Sequence, residues 1–585
     1  MKSKLIKITI SSLLIVLILG CIVSYWLSQH YVKVIKANLS GWIETATNGV
    51  YHASVENVKV GIWTRHISAS GIKIWPDTNR INQLIKEGHP PTTNFTVYVI
   101  SVEITGVRFL KILTEKELSC GRLLINKPIA FILSEERLQD SLKKETPSLL
   151  EINKENKSPA IKSLRADCIE VNEPNVTYEF AGKTDSVYCY MKNGKAVLHD
   201  WTFDHNTQQD TNRFLYAGSS NINIGSIFLI THKSTGWVYT SAANEISFST
   251  EKNYLVLKNT SLSASLRKFD TSKQKHYLKE KDSFYTSALE LVNFDWKALM
   301  NNKQLLAASM SLMAPVVDCY YDRRPSHSTT RLKYPQQFFQ KLSLETNISN
   351  ITIENGLVRY TELNPETNLT GEIVFNNVHG CLENVTNIDT NIAQKPNCVA
   401  KLSGKFKEKS DITATFNLLL SDSTGRFSVD AIAKNIDAEQ ISKDAAALSL
   451  IAIKSCYVTR ADIHLKGNED SCLGSLTLLY HNLDIELERT NIHKQVKDRP
   501  MVSFIANKAF LFTENPIQGK EVRHANMFVD RGTKSFFNLI WATILEGAQK
   551  TAIRGEIVKN KVVNQQEGVK KHGIIKRVLD KIQRH

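Results

Sequence analysis

The chain has 585 residues, 42% hydrophobic and 22% charged, a balance that belongs to globular protein and excludes disorder. Its net charge is +15, but no RNP motif, helix-turn-helix signature or aromatic-interleaved basic stripe accompanies that charge. Nucleic acid is therefore not an expected partner, and anionic lipid headgroups are the better match.

Lys2, Lys4 and Lys7 open the chain, and residues 8–27 follow without one Asp, Glu, Lys, Arg or His. At about 1.5 Å per residue such a run spans roughly the ~30 Å hydrocarbon core. The expected order is a cytoplasmic basic start (1–7), a single transmembrane helix (8–27) and the bulk of the chain across the membrane. Two other readings compete. A cleaved signal peptide fits poorly because 23–27 stays largely apolar, and a lipoprotein box at Ile18-Leu19-Gly20-Cys21 is followed by apolar Ile22 and Val23.

Residues 28–49 read as a helix leaving the membrane, with Val32, Ile35, Leu39 and Ile43 at helical spacing and Asn48-Gly49 as the stop. The period then changes to two. Ile412, Ala414, Phe416 and Leu418 alternate with Thr413, Thr415 and Asn417. Ala461, Ile463 and Leu465 alternate with Asp462, His464 and Lys466, and Leu483, Ile485 and Leu487 with Asp484, Glu486 and Glu488. Strands with one greasy and one wet face belong to antiparallel sheets. The segments beginning at Tyr98 and Tyr285 align without a gap at an offset of 187, matching Glu103 with Glu290, Lys116 with Lys303 and Pro128 with Pro315. Each reads strand, short helix, then a strand broken by a proline that belongs at an edge or a bulge. Two β units, 50–280 and 281–515, are expected, followed by a basic helical tail (516–585). In that tail 535–551 carries an apolar helical stripe, and 554–585 holds nine Lys or Arg against three acidic residues.

Chemistry-bearing motifs are scarce. There is no GxSxG, HExxH, P-loop or GxGxxG. His199, Asp200, Asp204 and His205 form the densest polar group, with the two histidines on one strand face, but no third metal ligand is implied. Asp318, Asp322, Arg323 and Arg324 read as a salt-bridged turn. Nine Asn-x-Ser/Thr sites, among them Asn38, Asn175 and Asn384, follow from a composition rich in those residues. Nine cysteines include no CxxC pair, which argues against structural zinc. Cys381 with Cys398 and Cys456 with Cys472 suit hairpin disulfides or buried free thiols equally.

The segment NLSGWIETATNGVYHASVENVKVGIWTRHISASGIKIWPDT, the two segments from Tyr98 and Tyr285, residues 346–387 and residues 430–487 resemble the AsmA-like family of Gram-negative envelope proteins, relatives of TamB and YhdP. Within the last of these segments a strand hairpin is expected around Gly474. The resemblance is one of pattern, covers most of the chain and brings no catalytic residue set. It implies an inner-membrane anchored, periplasmic protein of lipid transport or outer-membrane biogenesis, with a long sheet folded into a groove.

The expected fold is mainly β: an N-terminal transmembrane helix, an elongated antiparallel β-sheet groove or open sandwich built from repeated units, and C-terminal amphipathic helices. The expected function is non-catalytic binding or transfer of membrane lipids, with Phe416, Leu418, Ile463, Leu465, Leu483 and Ile485 as lipid-facing candidates. No cofactor or metal is expected. An assembly factor that binds an envelope protein without lipid is the alternative, and a type II membrane-anchored enzyme is the less favoured third.

Overall fold

The computed structural model describes residues 47–135, 163–270, 275–322, 333–487 and 511–553, less 89–90, 92, 183, 365–367, 439–441, 450 and 533. It adds isolated positions before residue 47 and the pair 489–490 with 496–497. The run 8–27, most of the helix 28–49 and the basic stretch 554–585 lie outside the described residues. Among the described residues no helix is long and apolar enough to cross a membrane.

The protein is mainly β, 64% strand and 15% helix, with 21 strands in long, mostly antiparallel sheet. It divides into two compact units, residues 1–266 with 287–302 and residues 267–286 with 303–585.

In unit 1, β1 (Tyr51–Gly61), β2 (His66–Pro76), β3 (Thr93–Thr105) and β4 (Glu117–Glu135) pair antiparallel in chain order. β5 (Ser163–Asn172) and β6 (Asn175–Ala181) lie end to end, parallel to the two halves of β4 and antiparallel to β7 (Asp185–Phe203). β8 (Ser219–Lys233), β9 (Trp237–Ser249) and β10 (Tyr254–Asp270) continue the meander. The described helices here are short and sit in connections: α1 (Thr78–Lys86), α2 (Phe109–Thr114) and α3 (Trp296–Asn302). Helix α1 starts where the Asp77 carboxylate accepts from the Asn79 and Arg80 amides at 2.8 and 3.1 Å.

In unit 2 the 280–285 part of β11 (Lys275–Val292) pairs with β13 (Val316–Asp322). β12 (Gln304–Met313) and β13 lie end to end and parallel to β14 (Glu345–Leu363). β15 (Thr370–Thr386), β16 (Asn397–Phe406), β17 (Ser410–Leu419), β18 (Phe427–Asp437), β19 (Ile451–Gly467) and β20 (Ser471–Leu487) follow as an antiparallel meander. The two-residue strands β21 (Arg489–Thr490) and β22 (Val496–Lys497) pair with each other, and β23 (His524–Asp530) adds to β20. The helices are α4 (Pro335–Phe339), α5 (Asp389–Gln394), α6 (Ser442–Ser449) and α7 (Phe536–Ala552).

The expected strands at 411–418, 461–466 and 483–488 fall in β17, β19 and β20, and the apolar stripe at 535–551 becomes α7. Helix α7 lies on β20 and β23, where Leu539 and Leu476 are fully buried and Met527 nearly so. Its Glu546 carboxylate accepts the Phe528 amide at 2.7 Å, and Lys550 donates to the Asn526 carbonyl at 3.0 Å. Side chains of α7 thus occupy backbone groups of β23 that a further strand would use. The expected hairpin around Gly474 is corrected: the turn lies at 468–470, where Asn468 Oδ1 accepts the Asp470 and Ser471 amides. Gly474 is inside β20 opposite Leu465, and a Cβ there would meet the His464 carbonyl at 2.0 Å.

Candidate functional site

The broadest candidate surface is one face of the unit 1 sheet. Register links Val58, Ala69, Val102, Ile125, Val171, Ala196, Ile222 and Phe248 in one row across β1 to β9. A second row is Ala53, Ile74, Val97, Ala130, Val176, Met191, Ile227 and Ala243. Every member of both rows is apolar. On every strand the two rows stand five residues apart, an odd step that would place them on opposite faces of a regular strand.

The backbone between the rows reverses the phase. Gly71, Lys127, Glu173, Asn193 and Glu245 all have left-handed φ, from 48° to 64°, and fall at matching register positions. A left-handed residue within a strand acts as a bulge that shifts alternation by one and bends the chain. Burial on β1, which pairs with β2 and has no left-handed residue of its own, follows the same reversal: Tyr51 and Ala53 are buried, Glu56 and Asn57 are exposed in succession, and Val58 and Val60 are buried again. Both apolar rows therefore share one face, and a crease runs across the strands between them.

Polar residues mark the outside of the crease. Asn57, Ser70, Ser101, Asn126, Asn172, Lys195, Asn223 and Ser247 form a single register row. Asn172 donates to Asn126 Oδ1 at 3.2 Å, Asn126 to Ser101 Oγ at 3.1 Å, and Ser247 to Asn223 Oδ1 at 2.8 Å. This ladder holds the bulges in line. The expectation of proline at an edge or bulge resolves here: Pro128 lies in a strand paired on both sides, directly after the left-handed Lys127.

Most of the apolar face is half-buried rather than sealed. Phe95, Val97, Ala130, Ile132, Tyr178, Met191, Ile227 and Leu229 all retain part of their exposure. One end is closed by an aromatic cluster in which Phe214 meets Phe248 at 5.1 Å and Trp296 at 5.8 Å between ring centroids. Eight strand positions at about 4.8 Å spacing give a strip of about 34 Å, longer than the ~15 Å half-thickness of a bilayer core. The opposite face beyond the crease exposes Tyr98, Ile129, Phe131, Tyr188 and Phe228.

Unit 2 carries the same device over fewer strands. Leu312 and Val317, Ile353 and Val358, and Gly380 and Phe375 stand five apart, with left-handed Ala314, Asn355 and Asn377 between them. The crease stops at β16, where Gly380 faces Leu402 and Phe375 faces Phe406, only four residues apart.

The sequence candidates fall beyond that point. Ile463 and Leu465 are buried, at 6% and 1% exposure, in one core cluster with Phe536 and Leu539 of α7. Phe416, Leu418 and Leu483 pack against this cluster, and Ile485 is half-buried in β20. Five of the six are thus gathered on or against a core that α7 helps to fill. The inward rows of unit 1, absent from the candidates, are the more open apolar surface. The five-residue step between apolar pairs was the signal available for them in the sequence.

The polar group at 199–205 is not brought together. Strand β7 ends at Phe203, so His205 lies in the turn and off the face of His199. Asp200 pairs with Arg213 at 2.7 Å, and Asp204 Oδ1 accepts the Thr207 amide at 2.8 Å. Among the described residues no three His, Cys, Asp or Glu could hold a metal ion. Asp318 lies 3.6 Å from Arg359, Asp322 is buried, and Arg323 and Arg324 are outside the described residues. The eight described cysteines are free thiols. Burial pushes Cys319 and Cys456 up to about 12 and Cys398 to about 11, which makes these thiols poor nucleophiles.

No protein-family model matches the chain, and no curated protein matches it significantly.

Proposed function

We propose that the protein is a non-catalytic, AsmA-like lipid carrier, anchored in the inner membrane and periplasmic in its bulk, whose creased sheet forms an apolar groove for acyl chains. The observation that carries this reading is the pair of all-apolar rows in unit 1, kept on one face by the crease and left half-buried. Burying hydrocarbon gains about 0.8 kcal/mol per CH₂, so such a face holds lipid without any catalytic group. The proposal includes repetition of the module. The segments aligned at an offset of 187 place left-handed residues at three matched positions: Gly106 and Asn293, Lys116 and Lys303, Lys127 and Ala314.

The test is lipid mass spectrometry on the full-length protein extracted in mild detergent. Copurified phospholipid is expected, with a several-fold loss in an Ile132→Asp, Leu229→Asp double variant and none in the outward Ser54→Asp. A lipid-free protein with a filled interior overturns the reading. A second reading, an envelope assembly factor, is favoured by the exposed Tyr98, Ile129, Phe131, Tyr188 and Phe228. Crosslinking of that face to one defined protein, with no bound lipid, decides for it.

A further inference from the structure

The first strand of unit 1 carries a histidine held between two carboxylates from different segments. His52 Nδ1 lies 2.8 Å from Glu44 Oε1, on the segment that leads into β1, and Nε2 lies 3.0 Å from Asp77 Oδ2, the cap of α1. An ionised carboxylate only accepts hydrogen bonds, so both contacts need an N–H on each ring nitrogen. A neutral imidazole has one. We infer that His52 is a cationic latch, closed in mildly acidic solution and opened by alkali, that fastens the segment before residue 49 to the first strand and to helix α1.

The surroundings suit that role. Ser40 Oγ donates to Glu44 Oε1 at 2.8 Å and steadies the carboxylate. Asp77 is already fixed by the Asn79 and Arg80 amides. The nearby cations on α1 and β2 are engaged elsewhere. Arg80 donates to the Asn48 carbonyl at 3.4 Å and lies 3.9 Å from Glu87, while Lys73 sits 5.3 Å over the Trp75 ring. That ring lies 5.9 Å from the imidazole, and no other charged partner approaches His52 among the contacts described. Among the described residues the same junction is also held by the Arg80 bond to the Asn48 carbonyl, by the Thr47 hydroxyl, which accepts the Tyr51 amide at 3.1 Å, and by the Asp77 amide, which donates to the Val50 carbonyl at 2.7 Å.

Glu44 first and Asp77 second raise His52 above its ordinary value. A raised histidine contributes stability that is complete below its ordinary value near 6.5 and is lost as pH rises through the raised value. Hydrogen bonding, from His52 to Glu44 and first from the Arg80 amide to Asp77, holds both carboxyls below their ordinary values. Their contribution is present above about pH 4 and lost as pH falls through the lowered values. The latch is therefore closed from about pH 4 to 6.5 and opens on the alkaline side.

Hydrogen exchange by mass spectrometry on the full-length protein in detergent micelles, corrected for intrinsic rates, tests this without reference to lipid. Protection of amides 47–50 is expected to fall several-fold between pH 6 and pH 9 in the wild type, as the raised histidine loses its proton. In His52→Gln it is expected to be low and flat. Glu44→Gln, a change of charge outside the strands, is expected to flatten the profile while peptides from β14 and β15 keep wild-type protection. A flat wild-type profile, or a variant that retains the pH dependence while those strands remain protected, overturns the latch.

Discussion

Unit 1 and the far end of unit 2, β17 to β20 with β23, use the same greasy alternation and finish it differently. At the far end of unit 2 the ladder is also irregular, with left-handed Asn435 in β18, left-handed Asn482 in β20 and register shifts between β19 and β20. Its apolar side is nevertheless sealed by α7 into a core with Leu465, Leu476 and Leu539 almost wholly buried. In unit 1 the apolar side is divided by a crease, and its residues stay half-exposed over most of its length. The same period-two sequence can thus feed a filled core or an open face. The determinant is whether a helix follows to cover it.

The largest test of this contrast places a charge on each surface. Leu465→Asp is expected to cost more than about 4 kcal/mol and to remove the cooperative unfolding transition of unit 2, because a fully buried carboxylate has no partner there. Leu229→Asp on the half-buried face is expected to cost only about 1 kcal/mol. Chemical denaturation of the two variants measures the difference; equal losses would mean that the unit 1 face is as sealed as the other.

A middle-sized test concerns the crease. Lys127→Gly is expected to raise stability by up to about 1 kcal/mol, because a left-handed backbone suits glycine better than lysine. Thr413→Gly, on the regular strand β17, is expected to lower it by about 0.5–1 kcal/mol. Opposite signs in the two melting shifts support the crease, and the same sign for both removes it.

The smallest effect is a pH dependence confined to unit 1. Lys195, at 2.6 Å, and Arg122 flank Glu170 and hold its carboxyl down to about 2. A lowered acid contributes stability that is present above the ordinary carboxylate range and lost as pH falls through about 2. Lys195→Ala is expected to remove about 1 kcal/mol or less at neutral pH and almost nothing at pH 2, measured as the difference in unfolding free energy.

Several elements were legible because local physics decides them. Strands β17, β19 and β20 follow from alternation alone, and α7 follows from Phe536, Leu539, Ile540 and Ile544 at helical spacing. Pro128 points to an edge or a bulge, since proline cannot donate to a ladder, and register decides between the two. Other features failed for equally physical reasons. The family resemblance puts a hairpin around Gly474, whereas here Gly474 lets β19 and β20 approach closely and the Asn468 side chain makes the turn. The six lipid-facing candidates were chosen for their alternation, which marks an apolar side but not what covers it.

By itself the sequence determined which residues of each strand are apolar, where α7 begins, and that the chain starts with a basic, then uncharged apolar run. Those are local properties, set by side-chain chemistry and backbone periodicity. The tertiary structure alone decided that the left-handed residues of four strands and of the β5–β6 junction fall in line, because register is a relation between segments that can lie far apart in the chain. It also decided which apolar side is buried by a helix and which stays half-open, because a strand does not encode its own cover.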